Sequence, residues 1–208
     1  MPALRPTLPK RALRLDLRDW LLPGAIVVVL LALRLAGPVA TTALRYERSS
    51  VVAGEAWRLA TAHLVHYDWP HLGWNLAGVA LVWLLFAREF TAGGWLLILL
   101  ASTVAIDAGF LLFEPQLDWY VGFSGVLHGC MAAGLTAWLR RERDALTVVV
   151  ASLFAAKLGW EHAVGPLPFT AATLSLQVIH EAHTYGAAGG ALAALWLLRR
   201  RSPPGAPL

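Results

Sequence analysis

Gly122-Phe-Ser-Gly-Val-Leu-His-Gly129 sets a serine between glycines at the head of a run, Val126 to Leu139, that otherwise reads as a membrane helix. Glycines beside Ser124 let backbone come close, both to an incoming carbonyl and to a neighbouring helix. A serine in a lipid-buried helix means little alone, because its hydroxyl commonly bonds to a carbonyl one turn back. Its company gives it weight. The chain has seven histidines, several of them inside or at the rim of apolar segments. Ionisable groups there are costly and mark functional sites by default.

Working outward, the 208 residues are 58% hydrophobic and only 14% charged, with a mean hydropathy of +0.59. That excludes an ordinary soluble domain of this size and points to one integral membrane domain. The single cysteine, Cys130, rules out a disulfide within the chain and reads as a small packing residue. Six apolar stretches separate: Trp20–Leu35, His71–Phe86, Gly94–Phe113, Ser124–Leu139, Ala145–Trp160 and Ala182–Leu198. The first has no small-residue cleavage motif after it and is not expected to be a signal peptide.

Charge sets the orientation. Arg5, Lys10, Arg11, Arg14 and Arg18 precede the first segment, and Arg88 follows the second. Arg140, Arg141 and Arg143 follow the fourth, and Arg199, Arg200 and Arg201 the sixth. Twelve of the 17 basic residues thus fall on one side. The positive-inside rule makes that side cytoplasmic, with both termini inside. The expected organisation is a basic tail over residues 1–18, one membrane domain over 19–201 and a disordered tail over 202–208. The isoelectric point near 9.7 reflects anionic headgroups. No soluble basic domain exists to engage a nucleic acid. The long outer connection, Ala36 to Pro70, is expected to lay amphipathic pieces at the interface.

Three polar clusters fall at outer segment ends and so share one depth. They are His63-Leu-Val-His66-Tyr-Asp-Trp-Pro-His71-Leu-Gly-Trp-Asn75, the Gly122–Gly129 stretch, and His180-Glu-Ala-His183-Thr-Tyr-Gly186. His71 and Asn75 are four apart on one helix face. An imidazole and a carboxamide side by side in a dry site are donors suited to a developing oxyanion, or else a polar pair bonding across helices. His63 and His66 read as loop caps. Gly125-x-x-x-Gly129-x-x-x-Ala133 and Gly186-x-x-x-Gly190-x-x-x-Ala194 are small-residue ridges that let segments four and six touch closely. Such contact is what a serine on one helix and a base on another require. Lys157 and Glu161, also four apart, read as a salt bridge at the rim.

Taken together, Gly-x-Ser-Gly opening the fourth segment, His-x-x-Gly-x-x-x-Gly on the sixth, His66-x4-His71-x3-Asn75 on the second and Trp57-Arg58 in the first outer loop resemble the rhomboid intramembrane serine proteases. The wording Gly54-Glu-x-Trp-Arg-Leu-x-Thr-Ala-His63, Ser124-Gly-Val-Leu-His-Gly129 and Glu181-Ala-His-x-Tyr-Gly186 is most similar to the rhombosortase branch. The resemblance implies an all-α, six-helix membrane bundle with Ser124 as nucleophile and His183 as general base. His71 and Asn75 would bind the oxyanion, together with the Ser124 backbone N–H. It implies a dyad, so that Asp107, Glu114, Asp118 and Glu181 are not required, Asp107 being a buried acid bonded within the bundle. Several rhomboids place a tyrosine four residues after the serine, packed on the catalytic imidazole. Here that position is His128, expected to stack on His183, the alternative being that it shares the proton.

The resemblance further implies residence in the inner membrane of a Gram-negative bacterium, no cofactor, and substrates held by C-terminal Gly-Gly membrane anchors. Two other readings compete. One is an inactive rhomboid-like protein that binds membrane helices. The other is a metalloprotein built on the metal-ligand spacings His63-x-x-His66 and His180-x-x-His183.

Overall fold

The computed structural model describes residues 16–173 and 178–201. Most of the expected basic tail and all of the expected tail 202–208 lie outside the described residues. Among those described, six helices have 15 residues or more: α1 (Leu21–Leu35), α5 (Trp69–Phe86), α6 (Ala92–Phe113), α7 (Ser124–Arg141), α8 (Ala145–Ala163) and α10 (His180–Arg201). Each coincides with one expected apolar stretch. Shorter helices fill the connections: α2 (Gly37–Leu44), α3 (Arg48–Val52), α4 (Trp57–Thr61) and α9 (Pro168–Thr173).

Local chemistry sets several of these ends. Asp68 Oδ1 accepts the His71 backbone N–H at 2.8 Å, and Pro70 occupies the first turn, so α5 begins just before the first site residue. Asp144 caps α8 through the Thr147 N–H in the same way. By length and composition α5 and α6 are each able to cross a bilayer. The segments Leu17–Leu35 and Gly37–Leu44 qualify only jointly, across a bend of 112°. The remaining long helices carry glycines, histidines or ion-pairing residues, which lower their hydropathy.

One feature departs from an all-α fold. Tyr46–Glu47 (β1) pairs antiparallel with Trp119–Tyr120 (β2), Tyr46 opposite Tyr120. This bridge ties the long first connection to the α6–α7 connection, just ahead of Ser124. Arginines hold the rest of that connection. Arg48 donates to the carbonyls of Phe110, Glu114 and Leu117, and so ties this connection to the end of α6. Buried Arg58 donates to the carbonyls of Thr42 and Arg45 at 2.9 and 2.8 Å. Arg58 therefore shapes the loop, whereas Trp57 beside it is exposed.

The core runs between α5, α6, α7 and α10, around Trp83, Phe86, Ile98, Ile106, Phe110, Val126 and Cys130. α7 and α10 meet backbone to backbone. A Cβ on Gly186 would collide with the Gly125 carbonyl, and one on Gly190 with the Gly129 carbonyl. Both small-residue ridges thus lie in one seam, which is what brings the head of α7 to the first turn of α10.

Candidate active site

Three local features aim the head of α7. Gly122 has φ +123°, a conformation side chains rarely adopt, and a Cβ there would lie 2.7 Å from the His71 ring. Its N–H donates to the Ala62 carbonyl at 3.0 Å, and its carbonyl accepts from the Tyr120 hydroxyl at 2.8 Å. The turn is therefore pinned from both sides, and Ser124 follows as the first residue of the helix.

Across the seam, His183 Nε2 lies 3.0 Å from Ser124 Oγ. The other ring nitrogen, Nδ1, donates to Glu161 Oε2 at 2.9 Å, and the Lys157 ammonium donates to the same oxygen at 2.6 Å. With Nδ1–H committed to a carboxylate, Nε2 presents its lone pair to the serine hydroxyl. His128 stacks on His183, ring centroids 3.9 Å apart and planes inclined by 12°. Its own Nδ1–H donates to the Ser124 carbonyl at 2.7 Å.

His71 and Asn75 lie one turn apart on α5, both buried, and the Asn75 amide donates to the His71 carbonyl at 2.8 Å. That bond uses one of the two amide hydrogens and leaves the other for a ligand. Ser124, His183, His71, Asn75 and His128 all line one cavity of about 490 Å³, whose remaining wall is largely apolar and includes Val82, Leu127, Met131 and Phe154. The structure thus brings all five expected residues together, and adds Glu161 and Lys157.

Other polar residues serve the frame. His63 Nε2 meets Asp107 Oδ1 at 3.1 Å inside the bundle, and the His63 ring packs on Tyr120. His66 is fully buried, edge-on to His71 at 5.0 Å, and burial with the neighbouring His71 pushes its pKa down to about 3. Burial, chiefly, also pushes the Tyr120 phenol up, so it remains a donor to Gly122. His180 pairs with Glu181 at 3.2 Å and is edge-on to His162.

Of the expected metal pairs, His63 turns to Asp107 and His66 packs on His71, while His180 pairs with Glu181 and His183 with Glu161 and Ser124. Among the described residues the ligand atoms close enough to share an ion belong to His128, Glu161 and His183. They do not fit one. Stacked rings direct their lone pairs into parallel planes, both His183 nitrogens are engaged, and Lys157 occupies the Glu161 oxygen.

Sequence reading placed Lys157–Glu161 at the rim as a salt bridge. The pair forms, but Glu161 is 3% exposed and turned inward to His183. A local i,i+4 partner already accounted for it, so the second partner, 22 residues away, left no signal beyond an acid in an apolar segment.

The chain is 30% identical over 103 residues to the Rhomboid protease GluP of Bacillus subtilis (strain 168), covering 50% of this chain and 20% of that protein. It is 30% identical over 128 residues to the Rhomboid protease GlpG of Enterobacter sp. (strain 638), covering 60% of this chain and 44% of that one. The matched stretch is thus less than half of either relative. The Rhomboid domain family matches residues 53–200, most of the chain and every residue that lines the cavity, and the chain belongs to the rhomboid family.

Proposed function

We propose that this protein is an intramembrane serine endopeptidase in which Ser124 is the nucleophile and His183 its general base. The observation that carries the reading is the 3.0 Å contact between Ser124 Oγ and His183 Nε2 at the wall of a mostly apolar cavity. Oγ attacks the scissile carbonyl as its proton passes to Nε2, and the same proton then goes to the departing amine. Negative charge collects on the carbonyl oxygen. The Ser124 N–H, in the first turn of α7, has no acceptor within its helix and stands at the positive end of the helix dipole. His71 and the spare Asn75 N–H complete the set of donors, which act strongly where water is scarce. His128 supports the base by stacking.

The six long helices, of 15 to 22 residues, span roughly 22–33 Å at 1.5 Å per residue, the longer ones reaching across a bilayer core of about 30 Å and the shortest falling short of it. With the basic residues gathered on one side, the proposed arrangement is six crossings with both termini cytoplasmic and the site near the outer face. Likeness of wording to the rhombosortase branch supports an inner-membrane location in a Gram-negative bacterium and substrates with a Gly-Gly pair ahead of a C-terminal anchor. Chemistry supports the glycines as well. A helical peptide bond hides its carbonyl, and each glycine weakens a helix by about 1 kcal/mol, opening the segment to attack.

The test uses the purified protein, a fluorophosphonate probe and a membrane-anchored substrate carrying Gly-Gly. Ser124→Ala should abolish both labelling and cleavage while the protein still folds, and His183→Ala should be as damaging. More than a few per cent of activity in the Ser124→Ala protein would sink the serine-protease reading. Equal cleavage after both substrate glycines become leucine would remove only the Gly-Gly specificity.

A further inference from the structure

We propose that Glu161 is a positioning residue for the base, so that the hydrolytic machinery is a Ser124–His183–Glu161 triad clamped by Lys157. This rests on the protease reading above and goes beyond the dyad that the resemblance implies.

The first observation is where the carboxylate lies. α8 turns Val148, Val149 and Leu153 outward and buries little of itself, Thr147 and Glu161 being its buried residues among those described. An acid is thus one of the few side chains this helix sends inward. A buried carboxylate is costly unless it is fully partnered. A salt bridge for stability alone would sit more cheaply at the exposed rim, where Lys157 could reach it without the burial.

The second is the geometry of the ring. The His128 stack fixes the plane of the His183 imidazole but leaves open a half-turn about Cβ–Cγ, which keeps that plane and exchanges the ring edges. The Glu161 bond to Nδ1 removes this freedom and specifies the tautomer. Nε2 then faces Ser124 Oγ with its lone pair, ready to accept a proton. When Oγ bonds to the substrate carbon, the carbonyl π pair moves to oxygen, the hydroxyl proton moves to Nε2, and an imidazolium faces the carboxylate. Glu161 stays ionised throughout and takes no proton.

Lys157 gives the third. Its ammonium holds the same Oε2 that receives Nδ1–H, so the carboxylate is fixed in direction from the helix that bears it. A glutamate on flexible bonds would otherwise be a poor guide for a ring.

The experiment measures inactivation of the full chain by a fluorophosphonate over a range of concentrations, separating the maximal rate kinact from the half-saturating concentration KI. Glu161→Gln should lower kinact by roughly 10²–10⁴-fold and leave KI within a few-fold, because the amide invites the wrong tautomer. The decisive variant is the charge-balanced double, Glu161→Gln with Lys157→Met, which leaves no ammonium stranded. It should unfold nearer the wild-type temperature than the single variant does, yet stay as slow. Should the single variant fail to fold, the double carries the same reading. Wild-type kinact in the double variant would overturn the proposal and return Glu161 to the role of partner for Lys157. Loss of labelling in Ser124→Ala together with wild-type kinact in Glu161→Gln would leave the protease reading standing and end this one. Labelling that survives Ser124→Ala would instead end the protease reading itself.

Discussion

α7 and α8 are consecutive helices of 18 and 19 residues, and both meet α10, but by opposite means. α7 buries ten residues, six of them glycine or alanine, and approaches α10 until backbones touch. α8 buries two and reaches α10 through polar atoms in its last turn, Glu161 to His183 and His162 to Thr184. The first contact is steric, extends along the helix and is insensitive to charge. The second is electrostatic and confined to one end. Their division of labour follows: the seam fixes how far Ser124 stands from His183, and the last turn of α8 fixes which way the imidazole faces.

The same substitution should therefore have opposite effects on the two sides. Gly186→Ala puts a methyl where the Gly125 carbonyl already lies, and backbone cannot move aside as a side-chain tip can. Overpacking of this kind costs about 1–3 kcal/mol even where neighbours relax. Here it must also widen the gap that hydrogen-bond reach from His183 to Ser124 requires. Expected outcomes are a large fall in unfolding temperature in detergent and loss of fluorophosphonate labelling. A Gly186→Ala protein that labelled at the wild-type rate would show that the seam does not set the distance.

What the sequence made legible divides along the same line. Apolar runs and small-residue spacing are local or periodic, so the six long helices and the α7–α10 seam could be read from them. Ser124, His183, His71, Asn75 and His128 could be gathered because each stands near the end of such a run, on the side away from most of the basic residues. The bridge of Tyr46–Glu47 with Trp119–Tyr120 could not, since two residues have no period. Nor could the His63–Asp107 bond or the inward turn of Glu161. Each depends on how a helix is rotated about its axis, and a helix apolar on nearly every side leaves that rotation unmarked.

Within the seam, His128 offers a smaller perturbation. Its ring presses on His183 without touching Ser124 Oγ, so its contribution is the stack and the bond to the Ser124 carbonyl. An aromatic pair is worth about 0.5–1.5 kcal/mol beyond burial, or roughly a 2–10-fold change in rate. His128→Ala should slow labelling by about that factor, and His128→Tyr should restore most of it. Complete loss in both variants would mean that His128 carries the proton, not the stack.

The smallest effect belongs to α8. Gly159 stands in the interior of that helix two residues before Glu161, has no left-handed backbone, and a Cβ there meets nothing within 4 Å. Glycine inside a helix costs roughly 0.5–1 kcal/mol relative to alanine through the freedom it retains in the unfolded chain. Gly159→Ala should then leave the unfolding temperature unchanged or raise it slightly, with labelling within about twofold of wild type. If α8 were packed along its length as α7 is, the added methyl would destabilise, as at Gly186. Parallel unfolding curves for Gly159→Ala and Gly186→Ala decide the matter: shifts of opposite sign uphold the contrast, and matching losses would show that α8 shares the tight packing of the seam.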